Sequence, residues 1–544
     1  MKKISYLILI VFLAISCSSN MKNADLIVYN AKVYTVNNDF DIAEAFAVKD
    51  GKFIVVGSND DILTKYVAGK KIDMKGKPVY PGFIDAHCHF YGYGIMLVTK
   101  ADLVGTTSFE EVITRLKEYY DKYPSDWLQG RGWDQNDWEV KKFPDNHILD
   151  EAFPDTPVFI TRIDGHAAIA NSKALQLAGV TESTRVEGGK LMVKNGKLTG
   201  VLVDNAMDLV SSIIPAPSKQ TEIIALKEAQ QNCFNVGLTS VVDAGLDANT
   251  VRLIDSLQKS GTVKMRVNAM LSPTEENFKD FVRKGVVKKD KLTVRSVKLY
   301  ADGALGSRGA KLLQPYSDDP DNTGLLIHQP DFYRKICAIA LKNGYQVNTH
   351  AIGDSANRMM LEIYGDFLKG KNDKRWRIEH AQVVNESDFD LFGKYSIIPS
   401  VQPTHATSDM YWAEERLGNE RIKGAYAYKR LLKENGWLPL GTDFPIEDIN
   451  PLYTFYAAVA RKDLKGYPNG GWQPENALSR EEALRGITVW AAKGSFEEDE
   501  KGSIEPGKFA DFVILENDIM ISDMKKIPRT KIVSTWLDGK KVSD

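Results

Sequence analysis

Four cysteines in 544 residues exclude a disulfide framework as the source of stability, so the core must supply it. Charge of one sign is missing as well. The 70 basic residues stand against 72 acidic ones with no long block of either, which removes the electrostatic footprint of a nucleic-acid-binding protein and leaves a small-molecule partner as the expectation. An apolar run that spans a bilayer is also lacking, since residues 4–15 are too short to cross one comfortably.

That run does have a reading of its own. Lys2 and Lys3 precede it, and Ser16, Cys17 and the polar Ser18-Ser19-Asn20 follow, the order of an export signal. Its ending, Leu13-Ala14-Ile15-Ser16-Cys17, resembles a bacterial lipobox, which implies cleavage before Cys17 and lipidation of that residue. Residues 1–16 are therefore expected to be a lipoprotein-type signal peptide and 17–25 a polar tether. The mature protein is then exported to the cell envelope and meets the membrane only through the lipid on Cys17. It keeps 68 basic against 72 acidic residues, and Cys88, Cys233 and Cys337 as an odd, sparse set.

At this length two or three domains are expected. Residues 26–80 are short β-rich runs broken by turns such as Lys49-Asp50-Gly51, and 501–544 have the same texture, with Asp538-Gly539-Lys540 as a turn. Each end is too small to fold alone, so the two are expected to share one small β-sandwich. Between them, in 81–500, β-like runs alternate with helical stretches, the mark of a parallel sheet covered by helices. Eight such runs are found, at 82–90, 240–244, 265–271, 294–302, 346–352, 376–381, 397–402 and 438–443. Eight strands close an α/β TIM (β/α)₈ barrel. About 150 residues separate the first run from the second, too many for a crossover, so a large insertion after strand 1, about 95–225, is expected to form a subdomain. It hangs at the C-terminal face of the barrel and is read as a substrate lid.

Chemistry-bearing residues gather at the ends of these runs. His87-Cys88-His89 closes the first, and a strand's period of 2 turns both imidazoles to one face. His350 ends the fifth, His380 the sixth and Asp443 the eighth; Lys298 lies in the fourth, between apolar Val297 and Leu299, so alternation turns it inward. Four of eight histidines, a lysine and an aspartate at the functional ends of barrel strands make a metal centre the reading.

The motifs Pro81-Gly82-Phe83-Ile84-Asp85-Ala86-His87-Cys88-His89, Asp302-Gly303-Ala304-Leu305-Gly306-Ser307, His350-Ala351-Ile352-Gly353-Asp354, Glu379-His380-Ala381-Gln382 and Gly441-Thr442-Asp443-Phe444-Pro445 resemble those of the metal-dependent amidohydrolase superfamily, in its N-substituted formamide deformylase-like branch. The segment from Gly502 to Asp511 fits that superfamily's return to its β-sandwich. The resemblance implies two divalent ions, zinc by default with manganese, iron or cobalt as alternatives, one held by His87, His89 and Asp443 and the other by His350 and His380, with carboxylated Lys298 as bridge. An unmodified ammonium about 3 Å from one metal charge would be repelled by roughly 5 kcal/mol per unit charge at an effective dielectric of 20, which favours the carbamate. A salt-bridged Lys298 beside a single metal is the alternative. The implied reaction is hydrolysis of a C–N bond in an N-formyl or N-acyl amide by a metal-activated hydroxide, with Asp443 as acid–base residue.

Candidates for substrate binding are His166 of Asp164-Gly165-His166, Trp133 in Trp133-Asp134-Gln135, Arg308 and Gln402, each with an ordinary structural role as its rival. His147, His328 and His405 receive no metal role. Alternatives to the amidase are a cyclic-amide hydrolase or deaminase on the same barrel, and a lipid-anchored binding protein without catalysis.

Overall fold

The computed structural model describes residues 21–162, 167–186, 189–306 and 308–543. The signal and lipobox segment lies outside these residues. At the centre runs a parallel sheet of seven strands, Phe83–Cys88, Leu238–Leu246, Arg266–Leu271, Leu292–Tyr300, Gln346–Ala351, Arg377–His380 and Ile398–Ser400, each hydrogen-bonded to its neighbour in that order. Helices such as Ala248–Lys259, Pro330–Lys342 and Asp354–Leu368 connect them and cover the outer face. Because side chains are buried on both faces, the strands read as near-continuous apolar runs, and all six residues of the third are buried.

The ring is nearly closed by residues 438–443, which do not form the regular eighth strand expected from the sequence. Leu440 makes a single parallel bridge to Val401, and its carbonyl accepts the Ala86 N–H at 3.2 Å. Three residues on, the Asp443 N–H donates to the His87 carbonyl at 2.8 Å. Pro439 has no N–H for a ladder, and Asp443 at φ 64° has left the extended region. The segment therefore touches both neighbours without a continuous ladder.

Between the first and second barrel strands stands a separate six-stranded sheet, in the order Gly189–Lys194, Lys197–Asp204, Ala167–Ala170, Val158–Arg162, Leu128–Trp133 and Ala101–Asp102. Asn195 and Gly196, at φ 52° and 75°, turn its first hairpin, the two left-handed residues that a tight turn between twisted strands demands. Its core contains Leu103, Phe109, Leu116, Leu128, Trp133 and Trp138. The chain ends meet in another sheet, where Phe512–Leu515 pairs antiparallel with Pro78–Pro81. A second sheet, which contains Lys22–Tyr29, packs against it through Val28, Phe46, Phe53, Phe512 and Trp536.

Candidate metal centre

The site begins where the first strand ends. His87 is fully buried, and His89 follows as the N-cap of helix Phe90–Thr99. Two positions apart, their rings lie 5.8 Å centre to centre, with both Nε2 atoms aimed at Asp443: His89 Nε2 is 3.2 Å and His87 Nε2 3.6 Å from its Oδ1. Their Nδ1 atoms face outward to partners that set the tautomer. That of His87 lies 2.6 Å from Glu379 Oε2, and that of His89 3.3 Å from the Ala244 carbonyl. With the proton on Nδ1, each Nε2 keeps a free lone pair.

Glu379 is itself held. Arg377 pairs with it from the same strand, Nε to Oε1 at 2.7 Å, and also donates to the Ala86 carbonyl at 2.6 Å and Ser400 Oγ at 2.7 Å, with Arg377 and Glu379 both fully buried. Burial alone would raise the Glu379 carboxyl, but Arg377 and His87 outweigh it and hold it far below the carboxylate range. Asp85 clamps the other side. Its Oδ1 accepts the His87 N–H at 3.0 Å and its Oδ2 the Thr442 hydroxyl at 2.7 Å, binding the first strand to the segment that carries Asp443. Gly441 makes that approach possible, for a Cβ there would lie 2.6 Å from the His87 nitrogen.

Lys298 crosses the barrel to bring Nζ within 3.0 Å of His87 Nε2. Burial lowers its amine to about 8, against the pull of Glu379 and Asp443. The imidazoles respond in the same sense. Burial, with Lys298 beside it, lowers His87 to about 4 and His350 to about 3, and burial and His350 push His380 well below its usual value. All three are neutral at pH 7, the form a metal needs. His350 and His380 sit ring to ring at 4.6 Å, and His380 lies 5.0 Å from His87. The backbone turns left-handed at His380, φ 73°, as at Asp443, strain that the surrounding structure sustains at two of the candidate ligands.

These residues fit a metal. His350 Nε2, His380 Nδ1 and Asp443 Oδ1 are buried without a hydrogen-bond partner, a costly arrangement unless something else satisfies them. The ligand atoms of His87, His89 and Asp443 all lie within 4.8 Å of one another, and imidazole with carboxylate suits a divalent transition ion. An unmodified Lys298 ammonium does not fit, because it takes up the His87 lone pair that the ion requires.

His405, given no role from sequence, belongs here. It rises from helix Pro403–Asp409 after the seventh strand, its Nε2 3.2 Å from Asp443 Oδ2 and its Nδ1 3.4 Å from Glu447. His380, His405 and Asp443 form a second possible metal group. Burial would lower the His405 imidazole, but Asp443 and Glu447 outweigh it and raise it well above its usual value, which favours the imidazolium between the two acids. Asp443 is correspondingly depressed against its own burial. Tyr300, last in the fourth strand, is another residue the sequence did not single out; its ring lies 5.6 Å from that of His350 and is 41% exposed. The signal available for Tyr300 was its parity with Lys298; for His405 there was none, since it sits on a helix.

The candidate substrate residues fare differently. His166 lies outside the described residues. Trp133 is a correction: it is fully buried in the core of the inserted sheet, with Nε1 donating to the Ile160 carbonyl at 3.1 Å, and has no surface to offer a substrate. Arg308 is engaged with Asp318 at 2.8 Å, an acid that Arg416 shares. Gln402 is buried at the end of the seventh strand, its Nε2 3.3 Å from the Ser400 carbonyl and its Oε1 unpartnered.

A nearly closed parallel barrel with imidazoles and an aspartate gathered at its strand ends defines a metal-dependent hydrolase. Residues 70–543 match the amidohydrolase family, and the chain belongs to it. It is 33% identical over 538 residues to "Protein LONG AFTER FAR-RED 3" of Arabidopsis thaliana, covering 95% of this chain and 91% of that one. To the "N-substituted formamide deformylase" of Arthrobacter pascens it is 26% identical over 540 residues, covering 95% and 97%. Among solved structures, an uncharacterized metal-dependent hydrolase from Pyrococcus horikoshii OT3 superposes with a TM-score of 0.77 at 30% identity, over 92% of this chain and 99% of that one.

Proposed function

We propose that the protein hydrolyses the C–N bond of a small N-formyl or N-acyl amide, at a centre of two divalent ions held by His87, His89 and Asp443 on one side and His350 and His380 on the other. The observation that carries this reading is the meeting of neutral, hydrogen-bond-free imidazole nitrogens with Asp443 around a buried lysine amine. The name of the Arthrobacter pascens relative supports the choice of an amide over other hydrolysable bonds.

When bound, two such ions, zinc in the first instance, lower the pKa of a water toward about 7 and polarise the amide carbonyl. The remaining work falls to the chain. Glu379 and the Ala244 carbonyl orient His87 and His89, and Asp85 with Gly441 sets the spacing between His87 and Asp443. Asp443 accepts the proton of the attacking water and passes it to the leaving nitrogen, while His405 holds its Oδ2. Lys298, carboxylated to a carbamate, would supply two oxygen donors to these ions. Its neutral amine attacks carbon dioxide, an N–C bond forms, one C=O electron pair moves to oxygen, and the displaced proton leaves to solvent. The inserted subdomain, about 95–225, acts as the lid that selects the substrate, and the two sheets at the chain ends form one β-sandwich. Lipidation at Cys17 holds the enzyme at the cell envelope.

The test is metal analysis of the purified protein with a panel of N-formyl amines, N-acyl amino acids, dipeptides and cyclic amides. Two ions per chain and turnover of the acyclic N-acyl compounds are expected, with kcat lower by about 10²–10⁴-fold in Asp443→Asn. Ammonia released from aminated heterocycles instead, or full activity in Asp443→Asn, overturns the reading.

A further inference from the structure

Helix Phe90–Thr99 buries Phe90, Gly94 and Val98, with Gly94 packed close against Ala225 and Ala229 of helix Lys219–Asn235. An adjacent face, Tyr93, Met96, Leu97 and then Lys100, follows the i, i+3, i+4, i+7 spacing. That face is not packed solid. Together with Val104 of the insert and Pro445, two residues beyond Asp443, it walls a cavity of about 380 Å³ at the seam between barrel and insert, within the range of small-molecule pockets.

The polar lining of this cavity is out of balance. Lys100, half-buried, and Arg131, exposed at the rim on the inserted strand Leu128–Trp133, both line it, and among the described residues neither side chain has an ion pair or a hydrogen bond. Burial, and after it the neighbouring Arg131, lower the Lys100 amine, and Asp102 is the cross-strand neighbour of Arg131. The one carboxylate on the wall, Asp102, has an oxygen committed to the Val104 N–H at 3.1 Å. The Tyr119 hydroxyl lies beneath this wall, buried without a partner. Two cations set against one carboxylate leave the lining with an excess of positive charge. The apolar remainder asks for a hydrocarbon body.

We propose that this cavity binds a small monocarboxylate with an apolar or aromatic body, its carboxylate between Lys100 and Arg131 and its body against Met96, Leu97 and Pro445. A carboxylate suits the site because its two oxygens supply acceptors for both cations at once. Its source is either the acid end of a substrate whose amide lies at the metal centre or a free carboxylate acting separately. The Tyr93 end of the cavity adjoins the segments that carry the centre: the His89 carbonyl accepts the Tyr93 N–H at 2.7 Å, and the Tyr93 ring lies 5.2 Å from that of Phe444.

Titration calorimetry of the purified protein with 3-phenylpropionate tests the site without reference to catalysis. Saturable binding is expected, weakened about tenfold or more in Lys100→Met and in Arg131→Met and retained in Lys100→Arg, with unchanged melting temperatures showing that the variants fold. No saturable binding by the wild type, or equal binding by both Met variants, overturns the proposal. A kinetic arm, for any amide the enzyme turns over, compares a substrate bearing a carboxylate with its methyl ester. A KM raised in Lys100→Met for the acid alone assigns the pocket to the substrate, whereas unchanged KM values with lost calorimetric binding assign it to a free carboxylate. Absence of amidase activity overturns only the hydrolytic reading, because calorimetry still decides this one.

Discussion

Glu379 shows how much of the centre depends on residues that touch no ligand position directly. Its Oε2 holds His87 Nδ1, and Arg377 holds Glu379 in turn, so the imidazole has one orientation and one tautomer. Glu379→Gln keeps the shape but removes the charge that makes His87 a stronger donor. The expected result is metal affinity lower by about 10–100-fold with little change in fold, read by competition with a chelator and by circular dichroism. Lys298 makes a pH-dependent prediction. Carbamate formation consumes the neutral amine, and burial sets its pKa near 8. The neutral fraction thus falls about tenfold for each pH unit below that value and levels off above it. At a fixed concentration of dissolved carbon dioxide, reconstitution of metal-stripped protein is expected to speed up from pH 6 to 8 and then plateau, with the carbamate followed by ¹³C NMR. A rate independent of pH over this window would remove the lysine from the assembly step.

At the scale of elements, the first strand and residues 438–443 form a pair held less by ladder bonds than by Asp85 and the absence of a side chain at Gly441. A Cβ at that position meets the His87 nitrogen at 2.6 Å, the His87 carbonyl at 2.8 Å and Asp85 Oδ1 at 3.0 Å. The first two are backbone atoms, and Asp85 Oδ1 is held in place by the His87 and Thr442 N–H groups. Gly441→Ala is therefore expected to push the segment outward, costing about 1–3 kcal/mol and separating Asp443 from the histidines. Thermal unfolding and metal stoichiometry measure the two effects; a variant that keeps both wild-type values would show that the contact relaxes freely. Strand parity was legible in the sequence here, because inward and outward side chains alternate over two residues whatever lies elsewhere. His87, His89 and Lys298 were found that way. His405 was not, since its helix carries no comparable pattern and its role arises only from proximity to Asp443 and Glu447.

The whole molecule is joined by a buried ionic network under the barrel. Arg266 of the third barrel strand reaches Asp511 at 2.7 Å and also Asp538, and Lys291 meets Asp538 at 2.8 Å, so the C-terminal strands are tied to the barrel by charge as well as by backbone. Arg266 and Asp511 are both buried, and burial of the guanidinium is outweighed by these two acids, which hold it firmly protonated. Removing one partner leaves a buried cation short of its counter-charge. Asp511→Ala is expected to cost about 3–5 kcal/mol, measured as a lowered urea midpoint, while the metal ligands stay in place and activity at low denaturant survives. Among the described residues no helix is long and apolar enough to cross a membrane.

Local periodicity and motif spacing determined, from the sequence alone, a barrel of parallel strands and the six residues proposed to hold the metals, because period 2 along a strand and residue type at its end are properties of short stretches. Tertiary structure decided what depends on distant segments meeting. It reduced the eighth strand to one bridge beside Pro439, buried Trp133 in the insert, brought His405 to Asp443, and set Glu379 and Asp85 as the supports of His87. Apart from Asp85 and His87, two positions apart, these contacts join residues tens to hundreds of positions apart, where packing and the pairing of buried polar groups, not sequence pattern, choose the partner.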